Sequence, residues 1–421
     1  GFYRLFINEK KKPIINFYIW NIQILPFKKR TFMSDRFIVT GNFTDDPFAI
    51  DMAQYIGLRE DISDMVSLKT FANSEFCPRY MLDADDMENI GNRLEGKIVL
   101  ICSVSNHERS RNDYAMRNCI LARAAKDNGA EQVVLVEPDL FYSAQDRGPH
   151  RIGELEKDRP DVDLKKFDGQ AFTSLLYAEL LKKSGVDAVV TVHNHSIKVQ
   201  NLFAEIFEGN FHNLIPTEVY AHYIKTSNFV QTGKDGDNLV IVAPDKGARP
   251  FMNAVFDSLQ LSECKRVVMD KVRTGEREIS MTFNPELSDI SIEEIEGKDV
   301  IVFDDMVRTG TTIVQCCEHI KKGNPNRVCF GVTHFHTSPE AREKLNSPAI
   351  DEILTTSTLP DIMNRDCQGR LRRKLTVMKL GKWLARHIME MYGLNDGRFQ
   401  KDFYKVDMSS KNPRWPPPNF Y

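Results

Sequence analysis

The chain has 421 residues, 42% apolar and 27% charged, with a formal net charge of −3. That length carries two domains with cores of their own, and the near-neutral balance excludes a global pull toward nucleic acid or anionic membrane. The eight cysteines stand singly except Cys316-Cys317, with no C-x-x-C pair; this speaks against a disulfide framework or a cysteine zinc site, and for reduced thiols in a cytoplasmic protein.

Residues 1–32 are aromatic, β-branched and basic, and the first methionine is Met33. Their apolar run is broken by Asn21 and Gln23 and lacks a small-residue cleavage site, so neither a signal peptide nor a membrane span is expected. We expect this segment to lie outside the fold. From Met33 short apolar strands alternate with amphipathic helices. Strands are predicted at 36–40, 97–103 and 132–137, and helices at 47–56 (ended by Gly57), 113–126 and 172–183. Residues 146–169 are polar and aperiodic, which fits either an active-site flap or a surface insertion.

The rhythm then repeats. Strands are predicted at 188–192, 239–243, 266–269, 300–303, 328–332 and 350–355, with helices at 199–207, 250–259, 312–321 and 339–345. A last helix is predicted over 375–392, packing back on the body. The fold class is α/β, with two mainly parallel sheets flanked by helices. The expected division is 33–185 and 186–393, followed by a loose proline-containing tail at 394–421.

Residues 300–313 read VIVFDDMVRTGTTI. A buried strand runs into Asp304 and Asp305, then Arg308, Thr309, Gly310, Thr311 and Thr312, then a helix. Ligands of open α/β sheets sit at the carboxyl ends of strands. Gly310 permits a tight turn, and threonine hydroxyls with main-chain N–H groups at a helix start hold phosphate. Paired carboxylates suit ribose hydroxyls or a hydrated Mg²⁺. Two acids alone would be an ordinary solvated turn; the whole order points to a phosphate site.

This stretch resembles the phosphoribosyl-diphosphate (PRPP) binding motif of the phosphoribosyltransferase-like fold. Other segments, in consistent order over roughly 36–389, narrow the resemblance to the ribose-phosphate pyrophosphokinase (PRPP synthetase) family. Residues 39–42 (VTGN) resemble its S-G-N turn, and 70–75 (TFANSE) its R-F-[AS]-[DN]-G-E loop. In the family that loop reaches the ATP base of a neighbouring subunit, which implies ATP contacts for Phe71, Asn73 and Glu75. From the residues alone, Phe71 offers a stacking face and the other two offer polar partners for an adenine edge. Asn112-Asp113 resembles N-D-N, although an N-cap role for Asp113 explains it equally.

Residues 142–147 (YSAQDR) resemble Y-A-R-Q-D-R, which implies ATP contacts for Gln145, Asp146 and Arg147, with Ala144 in place of an arginine. Residues 191–195 (TVHNH) resemble T-V-D-L-H, which makes His195 a Mg²⁺ or nucleotide-phosphate contact; His193 replaces the family aspartate. Asp245, after strand LVIVA, matches S-P-D-x-G and would lie by the ribose phosphate and a second metal. Lys271 and Arg273 resemble the K-x-R pair of the catalytic loop.

The resemblance implies transfer of the β,γ-diphosphate of ATP to O1 of ribose 5-phosphate, with Mg²⁺. Lys271 and Arg273 would clamp transition-state charge, Asp304 and Asp305 the ribose hydroxyls, and 309–312 the 5-phosphate. It also implies a homo-oligomer, at least a dimer; from the mildly negative charge and the lack of a basic stripe, no nucleic-acid or membrane partner is expected. Arg308 stands where the family has aspartate and Thr311 where it has glycine, so a larger or more anionic acceptor such as an ADP-ribose-like molecule stays open. The missing arginine at Ala144 also fits a regulatory homologue without activity. A base-consuming phosphoribosyltransferase shares the phosphate motif, but its single domain does not account for two halves.

Overall fold

The computed structural model describes residues 33–394, apart from 83–86, 107, 154–155, 274–278, 337 and 365–367. The expected extension at 1–32 and the tail from 395 lie outside the described residues. The chain opens with β1 (Phe37–Gly41), α1 (Pro47–Ile56), the short α2 (Ile62–Met65) and a hairpin of β2 (Val66–Thr70) and β3 (Phe76–Tyr80). It continues with β4 (Ile98–Cys102), α3 (Arg111–Asp127), β5 (Gln132–Val136), α4 (Asp161–Lys166), α5 (Thr173–Ser184) and β6 (Ala188–Val192). Next come α6 (Ile197–Ile206), β7 (Phe211–Leu214), α7 (Thr217–Thr226), β8 (Leu239–Ala243), α8 (Arg249–Leu259) and β9 (Lys265–Arg273). The remainder is β10 (Ile279–Phe283), β11 (Asp299–Val307), α9 (Thr311–Lys321), β12 (Arg327–Phe335), α10 (Pro339–Leu345), β13 (Glu352–Thr356), β14 (Leu375–Met378) and α11 (Gly381–Met391).

The strands form two large sheets. The first has the order β1-β4-β5-β6-β7 and is wholly parallel. The second has the order β10-β9-β8-β11-β12-β13-β14, parallel except for the β9–β10 ribbon. The strands are β-branched and apolar because helices cover both faces, as the sequence pattern required. Side chains of α3, α5 and α6 pack with one face of the first sheet. Its other face meets α1, α7, α8, α11 and the inner face of the second sheet in one continuous core. Helices α9 and α10 close the outer face of the second sheet.

Several expectations are corrected. The division at Gly185 falls inside the first sheet, because β6 and β7 follow it and complete that sheet. The predicted helix over 375–392 is a buried edge strand, β14, paired with β13, and then α11. Periodicity does not separate a short apolar run of strand from one of helix; pairing does. Helix α11 does pack back, against α1. The N-cap of α3 is Ser110, whose Oγ accepts from Asp113 N at 3.1 Å, rather than Asp113 itself. The hairpin β2–β3 and strands β7 and β10 are additional to the expected elements.

Candidate functional site

Strand order in the second sheet reverses at β8. The chain goes from β8 to β9 on one side and returns to β11 on the other, which opens a crevice at the carboxyl ends of β8 and β11. Asp245 follows β8, and its Oδ1 accepts from Gly247 N (2.9 Å) and Ala248 N (3.1 Å), shaping the turn into α8. Asp304 and Asp305 are not in a loop: β11 continues through them, pairing with β12 as far as Val307↔Phe335 after its pairing with β8 has stopped at Val302. One-sided pairing holds the two acids in extended backbone at the lip of the crevice.

The two carboxylates are electrically distinct. Burial, then the charges of Asp305 and Asp245, push Asp304 well above the usual carboxylate range. Burial also opposes ionisation of Asp305, but His195 holds it down at about 2. His195 Nδ1 pairs directly with Asp305 Oδ2, and that bond raises the pKa of the half-exposed imidazole. The pair therefore joins the first sheet, through the β6–α6 turn, to the second.

Beyond β11, Gly310 is the N-cap of α9, with φ 74 and no side-chain cap. A Cβ there would also meet Leu345 Cγ at 2.9 Å, so glycine is required on two counts. The first-turn N–H groups of α9 lack intrahelical acceptors and face an anion with the positive end of the helix. A cavity of about 420 Å³ opens here, lined by Arg308, Thr309, Gly310 and Thr312, by Asp304, and from the first sheet by Asp146, Arg147 and His195. Ser143 and Ala144 complete the first-sheet wall, and Met306, Val307 and Ile313 supply apolar surface. A larger hollow of about 820 Å³ beside α1 and the β2–β3 hairpin gathers none of these groups; its buried acid is Asp46.

The residues of the first-sheet wall are fixed locally. Ser174 Oγ donates to the main-chain oxygens of Tyr142 (2.6 Å) and Gln145 (2.9 Å), and Thr173 Oγ1 donates to Gln145 Oε1 (2.6 Å). Ser196 Oγ donates to Asp146 Oδ2 at 2.7 Å. Arg147 lies 3.7 Å from both Asp146 and Asp163. Asp163 belongs to the 146–169 segment, which is tied down: buried Arg159 bonds Gly148 O (2.9 Å) and Asp163, and Lys198 of α6 pairs with Glu156 (2.7 Å). Of the cations near Ala144 in sequence, Arg147 lines the cavity, whereas Arg151 is held by Asp161 and Arg159 O.

Gln145, Asp245 and Asp305 are not among the cavity-lining residues, and three further sets lie elsewhere. Phe71, Asn73 and Glu75 form the exposed tip of the β2–β3 hairpin, where Asn73 Oδ1 accepts from Glu75 N (3.2 Å), and they do not line the cavity. Lys271 and Arg273 sit within β9 rather than on a loop, opposite Met281 and Ile279 in the β9–β10 ribbon; the ribbon turn at 274–278 and the two side chains lie outside the described residues. Thr311 starts α9 but is not among the cavity-lining residues. Ser196, Asp163 and Met306 are not legible in the sequence because nothing in their local pattern distinguishes them from surface or core positions.

Comparison with known proteins agrees with this layout. A phosphoribosyl transferase domain model matches residues 219–355, the span holding Asp245, Asp304 and the Thr-Gly-Thr turn. Ribose-phosphate pyrophosphokinase 4 of Saccharomyces cerevisiae is 28% identical over 271 residues, 64% of this chain and 72% of that protein. Ribose-phosphate pyrophosphokinase of Campylobacter jejuni is 28% identical over 313 residues, 74% of this chain and 84% of that one. The crystal structure of phosphoribosylpyrophosphate synthetase from Mycobacterium smegmatis matches with a TM-score of 0.62 at 20% identity, over 85% of this chain and 99% of that one. The chain carries a phosphoribosyl transferase domain over 219–355 and is similar, at 28% identity, to ribose-phosphate pyrophosphokinases. Its fold is that of two phosphoribosyltransferase-like domains. Ala144 and Arg308, two of the chain's departures from the pattern it resembles, line the cavity. No helix among the described residues is long and apolar enough to cross a membrane.

Proposed function

We propose that the protein is a ribose-phosphate diphosphokinase, transferring the β,γ-diphosphate of ATP to O1 of ribose 5-phosphate to give PRPP and AMP. The observation that supports this most is the single cavity joining Asp146, Arg147 and His195 to Asp304 and the Arg308–Thr312 turn. Ribose O1 attacks the β-phosphorus; the O1–P bond forms as the bond from that phosphorus to the AMP oxygen breaks. Such transfer is governed by positioning and charge. The turn 309–312 would hold the 5-phosphate, Asp304 and Asp305 the ribose 2- and 3-hydroxyls, and Arg147 with His195 the nucleotide phosphates. Lys271 and Arg273 would neutralise the equatorial oxygens.

Asp245, Asp304 and Asp305 are oxygen donors of the kind that hold Mg²⁺. Asp304 is raised by burial and its neighbours' charges in a way a cation would relieve. Bound Mg²⁺ would supply charge neutralisation at the phosphate oxygens. His195, held by Asp305 through Nδ1, keeps Nε2 for a ligand. The exposed Phe71 hairpin suits delivery to a neighbouring subunit, so we propose a homo-oligomer. The free thiols of the seven described cysteines suit a reducing, cytoplasmic compartment.

Purified protein with ATP, Mg²⁺ and ribose 5-phosphate should release AMP. Lys271→Ala should slow release about 10²- to 10³-fold. Exposed Arg308 on the cavity wall favours a second reading, a larger anionic acceptor. AMP formed with ADP-ribose and not with ribose 5-phosphate would select it. Nucleotide binding with no AMP from either would indicate a regulatory homologue.

A further inference from the structure

We infer that Asp139, His334 and His336 form a site for one divalent transition-metal ion of the Zn²⁺ class, bridging the two sheets. Asp139 stands just past β5 of the first sheet; His334 lies in β12 of the second and His336 just past it. His336 Nε2 is 3.3 Å from Asp139 Oδ2, and His334 Nδ1 is 3.8 Å from Asp139 Oδ1. The three donor atoms lie within 4.8 Å of one another. A tetrahedral ion with bonds of about 2.0–2.1 Å places its donors roughly 3.3–3.5 Å apart, so small side-chain shifts close the set.

A second observation is independent of that spacing. His334 Nε2 faces two main-chain acceptors, Val192 O at 2.9 Å and His193 O at 3.2 Å. That nitrogen must carry the ring hydrogen, and Nδ1 therefore presents a lone pair toward Asp139. A histidine held by a carbonyl through one nitrogen and aimed with the other is the usual arrangement of a metal ligand. Two imidazoles and a carboxylate suit Zn²⁺, Co²⁺ or Ni²⁺, whereas Mg²⁺ prefers oxygen alone. Asp139 and His334 are buried and His336 is only partly so, leaving an approach from the His336 side.

Two neighbours compete with the ion. Thr358 Oγ1 lies 3.1 Å from His334 Nδ1, and the Arg111 guanidinium pairs with Asp139 Oδ2. Arg111 brings positive charge, so it weakens the site without blocking the other carboxylate lone pairs. A bound ion would crosslink the sheets and, through His334, fix the backbone of Val192 and His193 that leads to His195. The proposal does not depend on the catalytic reading.

The test is zinc binding by the full chain after EDTA treatment, followed by calorimetry, with Co²⁺ absorption reporting ligand geometry. One Zn²⁺ per chain is expected, with Co²⁺ bands of a four-coordinate nitrogen–oxygen site and no displacement by excess Mg²⁺. His336→Ala should weaken binding at least tenfold, and so should Asp139→Asn. His195→Ala, which removes the histidine of the other site, should leave it intact, and Arg111→Gln should tighten it. Absence of zinc binding would overturn the proposal, as would zinc retained at full affinity by His336→Ala. If Asp139→Asn fails to fold, the partly exposed His336→Ala decides alone.

Discussion

At the end of β5, Glu137 is wholly buried and accepts four hydrogen bonds: from Ser103 Oγ (2.7 Å), Asn118 Nδ2 (2.9 Å), Tyr177 Oη (2.9 Å) and Phe141 N (2.7 Å). Toward the end of β11, Asp304 Oδ1 accepts from Asp305 N, Asp305 Oδ1 accepts from Met306 N, Asp305 pairs with His195, and Asp304 opens onto a cavity. Both positions are carboxylates near the carboxyl end of a buried parallel strand. The first sheet runs in chain order from β1 to β7, while the second reverses between β8 and β11. Where order does not reverse, neighbouring elements close over the strand end and use the carboxylate as structure. Where it does, the connections diverge and leave bonding capacity for a ligand.

The largest expected effect tests the sealed side. Glu137→Ala strands four donors in the core and should cost about 3–5 kcal/mol of stability, read as a lower urea midpoint; a loss under about 1 kcal/mol would show that the network does not hold the first sheet. The open side should respond the other way. Asp305→Asn should lower AMP formation about 10²-fold through lost positioning, while the melting temperature changes little because His195 is half-exposed. A variant that melts early with normal turnover would erase the contrast.

Gly310→Ala should be intermediate, since a left-handed alanine costs about 1–2 kcal/mol before the Leu345 clash is counted. Weaker ribose 5-phosphate saturation at nearly unchanged ATP saturation would locate that loss in the phosphate turn. Equal loss for both substrates would place it elsewhere.

The smallest effects are pH slopes of opposite sign. Burial pushes Glu137 and Asp46 up to about 7, so the folded state resists their ionisation. Their contribution is complete below the ordinary carboxylate range and declines as pH rises toward 7. Burial lowers His193 to about 3 from 6.5. The unfolded chain then binds the extra proton, and stability declines as pH falls below 6.5, by at most ~1.4 kcal/mol per pH unit. Melting curves of His193→Asn and Asp46→Asn from pH 4 to 8 should flatten these slopes in opposite directions. Parallel changes would contradict the assignment.

Local pattern was enough for much of the molecule. Apolar β-branched runs such as 188–192 and 239–243 matched their strands to the residue, because a strand buried on both faces admits little else. The order strand, Asp-Asp, Thr-Gly-Thr-Thr, helix located the turn into α9, since Gly310 must adopt a positive φ that few residues tolerate. Tertiary structure decided the rest. It extended β11 through two aspartates by pairing with β12, made β14 a strand by pairing with β13, and moved β6 and β7 into the first sheet. It also set His195 against Asp305 and Asp139 against His334 and His336. Main-chain pairing and long-range side-chain encounters depend on which strands become neighbours, and no local periodicity carries that information.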